Sequence, residues 1–157
     1  MTLTNNSTCT QITIASTLLD DFIATPANYE KLEVVIIVNC SSTSTTKEYT
    51  SLVPITGTGD VVTIAGIEYI NPSFLSVTTF TDGIYTIQVK STDLSSVTTT
   101  DTGCLLVDCN KKCKIAVTDT NSMLYYYWID KIQDCTCDCT KLCTLYNLIT
   151  EEDECNC

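Results

Sequence analysis

The chain has 157 residues, enough for one ordinary domain with at most a small appendage, and an apolar content of 44% describes a folded protein. Its formal charge is −11, with 19 acidic residues against 8 basic ones, every basic residue a lysine. An acidic chain is repelled by phosphate backbones, so nucleic acid is excluded as a partner. Without histidine there is no Ser-His-Asp or Cys-His chemistry and no His-containing zinc site; without arginine there is no bidentate anion clamp. No spacing among the acids singles out a catalytic carboxylate pair, so the expectation is a non-enzyme with no catalytic residues.

In chain order, MTLTNNSTCTQITIAS lacks the basic start and apolar core of a signal peptide. No apolar run reaches the roughly 18 residues a membrane span requires, so no membrane insertion is expected. Strands are predicted over 11–16, 32–40, 47–55, 60–70, 74–80, 83–91 and 97–107, where β-branched residues alternate between Gly, Pro, Asn and Asp. The stretch 17–31 is predicted to hold one short helical turn, broken at Pro26. Short strands at this spacing imply a β-sandwich over 1–107. Asp82-Gly83-Ile84-Tyr85-Thr86-Ile87 resembles the tyrosine-corner entry to the penultimate strand of immunoglobulin-like domains, in which a tyrosine bonds back to an upstream backbone group. The cysteine such antibody domains carry two residues after the tyrosine is Ile87 here.

The character changes at Cys104. Nine of the eleven cysteines lie from there onward, and 108–157 is expected to form a small cysteine-rich helical module. Asp108-Cys109-x3-Cys113 and Asp138-Cys139-x3-Cys143 repeat one pattern, each with aspartate as a helix N-cap and two cysteines at i and i+4 on one face. A third helix is predicted over 123–132, capped by Ser122. One unbroken helix over 110–132 would hold Cys139 away from Cys113; a break near 119–122 is expected instead, turning the chain back and gathering Cys109, Cys113, Cys135, Cys137, Cys139 and Cys143 at one end. These six are the disulfide candidates. The alternatives are a structural zinc held by Cys109, Cys113, Cys139 and Cys143, and free or partly buried thiols. The Cys-x2-Cys of thiol redox catalysts is missing. Tyr125, Tyr126, Tyr127 and Trp128 exceed what one face of a short helix buries and are interface candidates. Cys155 and Cys157, in a charged tail, are candidates for bonds to another chain.

The run DGIYTIQV, then GCLLVDCNKKCK, then CDCTKLCTLYNLI resembles small virion proteins of tailed phages, nearest to crAss-like phages and their relatives on Bacteroidetes hosts. The resemblance covers roughly 80–150 and implies a structural role in the tail, neck, collar or head fibres. It implies partners among other virion proteins and copies of the chain itself, no cofactor, and location in the virion after assembly in the host cytoplasm. Eleven cysteines without a signal peptide are compatible with a protein that leaves the cell inside a particle. A surface adhesin that stacks sugars on Tyr49, Tyr69, Phe74 and Phe80 is the remaining alternative.

Overall fold

Alternating β-branched residues make the long strands of this protein, and short turns with left-handed residues divide the rest. The computed structural model of the chain describes residues 1–39, 41–55, 59–81 and 83–107. Within them the elements are β1 (Thr2–Asn5), β2 (Ile12–Ala15), α1 (Thr17–Ala24), β3 (Tyr29–Val38), β4 (Thr45–Tyr49), β5 (Val61–Ile64), β6 (Ile67–Ile70), β7 (Gly83–Asp93) and β8 (Thr98–Val107). They form two antiparallel four-stranded sheets, ordered β1-β2-β6-β5 and β4-β3-β7-β8.

Period-two alternation puts one side of each strand into a shared core. Leu32, Val34 and Ile36 of β3 meet Tyr85, Ile87 and Val89 of β7 and Leu105 and Val107 of β8 on the inner face of one sheet. Leu3, Ile12, Ile14, Val61 and Ile70 supply the opposing face. Helix α1 closes one end. Leu19 and Phe22, at i and i+3, point into the core, and the Phe22 ring lies 5.7 Å from that of Tyr29. The helix stops at Ala24 because the residue before a proline is pushed out of helical geometry, and Pro26 then opens a single 3-10 turn into β3.

Register defines two poles. Tyr29 pairs with Asp93, and Leu32 pairs with both Ser91 and Tyr49, so the start of β3, the β4–β5 turn and the β7–β8 turn share one end. Glu68 pairs with Ile14, which brings the β5–β6 turn and the entry to α1 to the same end. At the opposite pole the Phe80 N–H donates to the Cys9 carbonyl (2.9 Å), and Val107 leaves β8 beside Gly83.

Several expectations are corrected. The segment 60–70 is two strands, because Ala65 and Gly66 both adopt positive φ (52° and 76°) and turn the chain in two residues. The segment 74–80 is not a strand: Pro72 starts a 3-10 turn through Leu75, and Ser76 leaves it in the left-handed region. The strand sought over 47–55 lies at Thr45–Tyr49, since Thr50 turns the chain. Thr17–Ala24 makes two helical turns, where one was expected. β1, a short polar strand, was not expected. The predicted helical module over 108–157 lies outside the described residues.

Candidate interaction surface

The start of β7 is a locked corner. Tyr85 Oη donates to the Thr81 carbonyl at 2.9 Å, and its ring meets Phe80 edge-on with centroids 5.6 Å apart. Tyr85, Phe80 and Phe74 are all buried, so Phe74 and Phe80 are core residues and present no face to a sugar; of the four aromatics considered for stacking, Tyr49 and Tyr69 remain partly exposed. The sequence misled here because an isolated phenylalanine beside a turn reads alike whether it faces in or out.

A polar cluster fastens β4 to the 3-10 turn at 72–75. Lys47 Nζ sits 3.1 Å from Asp60 Oδ2 and 5.9 Å above the centre of the Phe74 ring. Burial pushes the Asp60 carboxyl up, but hydrogen bonds from Ser73 and Lys47 outweigh it and hold it below its usual value. Burial, reinforced by the Asp60 charge, raises the Tyr49 phenol to about 12. The arrangement keeps Tyr49 protonated and Asp60 ionised and paired, which suits a fastening more than proton transfer. A second pair links α1 to β6: Glu68 is buried, and burial, the Asp20 charge and a hydrogen bond with Asp20 all raise its pKa. Helix entry is tied to β8 by Ser16 Oγ, which donates to Asp101 Oδ2 at 2.8 Å, while the Met1 amine contacts Asp101 Oδ1 at 3.0 Å.

Both cysteines among the described residues, Cys9 and Cys104, are buried and disulfide-bonded. Cys9 belongs to the core between the sheets. Cys104 lies on the outer face of β8, its Sγ 3.9 Å from Thr86 Oγ1, while its neighbours Leu105 and Val107 face inward. The remaining disulfide and zinc candidates, Cys109, Cys113, Cys135, Cys137, Cys139 and Cys143, and the interface candidates Tyr125, Tyr126, Tyr127 and Trp128, lie outside the described residues. Among the described residues, no group of three or more Cys, Asp or Glu side chains is placed to hold a metal ion, and no helix is long and apolar enough to cross a membrane. Among the described residues, an open pocket of about 270 Å³ between Ile36, Val38 and the Ser41–Thr45 segment is lined by aliphatic and hydroxyl side chains and by no titratable group.

The feature that sequence reasoning missed is apolar. Leu52, Val53, Ile64, Ile67, Leu94 and Val97 are exposed, and all belong to the pole that carries α1. Leucine and valine inside Thr-, Ser- and Asp-rich turns (TSLV, DLSSV) were the available signal, because such turns ordinarily present polar side chains. No family model matches the chain, and no curated protein or solved structure matches it.

Proposed function

We propose that the chain is a non-enzymatic structural protein of a tailed-phage virion, a tail, neck, collar or head-fibre component that acts by protein–protein assembly. In this reading residues 1–107 form an immunoglobulin-like sandwich that serves as spacer and contact domain, and 108–157 form the cysteine-rich docking end. The observation that carries the fold half is the corner at Tyr85. Its hydroxyl reaches the Thr81 carbonyl at 2.9 Å, near the start of the penultimate strand, where immunoglobulin-like domains place their tyrosine corner. The strand order agrees: β1-β2-β6-β5 follows the A-B-E-D sheet, and β3-β7-β8 follows C-F-G with β4 added beside β3. Ile87, buried in the core, replaces the intersheet cysteine of antibody domains.

The assembly half is supported by the exposed apolar side chains gathered at one pole, since apolar surface concentrated on one end of a folded domain marks interaction sites. The glycan-binding alternative is weakened by the burial of Phe74 and Phe80. The test is proteomic analysis of particles purified from a phage encoding this chain. The protein is expected at a fixed copy number relative to the major capsid protein, and its absence from particles sinks the proposal. Elemental analysis of the purified chain tests the zinc alternative, which predicts one zinc per chain.

A further inference from the structure

Of the seven large apolar side chains that the described residues expose, six stand on or directly beside the turns of one pole: Leu52 and Val53, Ile64 and Ile67 flanking the β5–β6 turn, Leu94 and Val97. Leu52 is 91% exposed and Leu94 70%. Two of these turns are held rigid. Thr50 Oγ1 accepts the N–H groups of Leu52 and Val53 at 3.2 and 3.1 Å, and Asp93 Oδ1 accepts those of Ser95 and Val97 at 2.8 and 3.0 Å. Side chains presented by rigid turns lose little freedom when a partner covers them.

The same pole is acidic. Asp20, Asp21 and Glu30 are exposed there, and the adjacent Lys31 is already bridged to Glu33 and Glu48 at 3.3 and 3.2 Å. A partner that fits is therefore apolar or aromatic and carries positive charge. The chain itself encodes one. Residues 108–157 follow Val107, and within them the stretch 111–128 carries Lys111, Lys112 and Lys114 against the single acid Asp119 and ends on Tyr125-Tyr126-Tyr127-Trp128. Val107 leaves the sandwich at the opposite pole, about 34 Å from the β7–β8 turn for a ten-residue strand. To cover its own apolar pole, the segment must first run back along the whole sandwich; to cover the pole of a copy stacked end to end, it need not.

We infer that the apolar pole of one copy receives residues 111–128 of a second copy, head to tail. The Tyr125–Trp128 aromatics cover the Leu52, Ile64, Ile67 and Leu94 tips, and the lysines face Asp20, Asp21 and Glu30. This rests on the assembly reading above and adds to it the partner and the direction of growth. A heterologous contact of this kind repeats from copy to copy into a ring or a filament.

Sedimentation velocity on the full chain tests it, with a non-reducing denaturing gel to separate docked from covalent species. The wild-type chain is expected to grow beyond dimer with concentration and to run as monomer on the gel. Leu52→Glu/Leu94→Glu, which alters only exposed side chains, and Lys111→Glu/Lys112→Glu should each weaken self-association at least tenfold when alone. Mixed one to one, they should form heterodimers that grow no further, because one intact pole and one intact basic segment remain between them. Undiminished dimerisation of Lys111→Glu/Lys112→Glu overturns the inference in favour of a pole-to-pole contact. A wild-type chain that stays monomeric at all concentrations also overturns it. Presence of the protein in purified particles is scored separately, so a monomer found in particles removes this inference and leaves the virion reading intact.

Discussion

Asn39 grips Ile84 at both ends of its backbone: the Asn39 N–H donates to the Ile84 carbonyl at 2.7 Å, and its side-chain Oδ1 accepts the Ile84 N–H at 3.0 Å. The grip requires Asn39 to sit at φ 50°, a left-handed conformation that asparagine tolerates better than most residues. It also requires Gly83, at φ 153°, to carry no side chain, since a Cβ there would run into the Asn39 carboxamide. Gly83→Ala is expected to cost about 2–4 kcal/mol, combining backbone strain with overpacking. Adding Asn39→Gly should recover part of the loss by removing the collision, while the strained φ at position 83 remains. Urea unfolding of the two variants measures this, and a Gly83→Ala chain as stable as the wild type refutes it.

Tyr85→Phe keeps the ring against Phe80 and deletes the hydroxyl that the Thr81 carbonyl accepts. The loss should be on the order of 1–2 kcal/mol, the range for one partly buried hydrogen bond with an acceptor left unmatched. Thr81→Ala should cost less, because the acceptor in that bond is backbone. The order of the two unfolding midpoints decides; a larger loss for Thr81→Ala contradicts the corner.

Glu68 gives a pH signature of unusual sign. Its folded pKa is raised above the unfolded value, so the folded state holds the proton more tightly. Stability from this group is fully present below the unfolded glutamate pKa and falls as pH rises from there through the folded pKa. Glu68→Gln, which keeps a hydrogen-bond donor toward Asp20, should therefore stabilise the protein at pH 7 by on the order of 1 kcal/mol. The gain should vanish in acid. Thermal unfolding of both chains between pH 3 and pH 7, roughly spanning the carboxylate range, reads the crossing; parallel curves would contradict it.

At the alkaline end Tyr49 governs a second slope. With a folded pKa of about 12, the phenol keeps its proton while the unfolded chain has released it, so stability falls as pH climbs from the unfolded tyrosine value toward 12. Asp60→Asn removes the neighbouring charge and should lower the Tyr49 pKa without restoring it fully, because burial is the larger cause. The tyrosinate absorbance difference between each chain and its Tyr49→Phe counterpart follows this one phenol among the eight tyrosines. An unchanged Tyr49 transition in Asp60→Asn removes the electrostatic half of the account.

The long strands were legible because burial leaves a period. In LEVVIIV and GIYTIQV, every second residue faces the core, and neither composition nor length competes with that pattern. The turns were less legible. Ala65-Gly66 closes a hairpin in two residues at positive φ, but alanine is not the asparagine or aspartate that ordinarily announces such a turn. FLSVTTF alternates like a strand, yet Pro72 and the left-handed Ser76 set its backbone first, and only the three-dimensional packing of Phe74 and Phe80 shows which way they face. The apolar pole was invisible for a related reason. A leucine in a turn has no period to give it away, and its exposure is a property of the assembled sheets.

The β7–β8 ribbon has a mechanical consequence. Its ten residue pairs run continuously from Thr92–Thr98 to Gly83–Val107, with backbone bonds perpendicular to the strands. A load drawn through whatever follows Val107 pulls β8 along its own axis, so these bonds share the force in shear and do not open one after another like a zipper. Anchoring the far pole would put the whole ribbon in line with the pull, which is the geometry of a strut under tension.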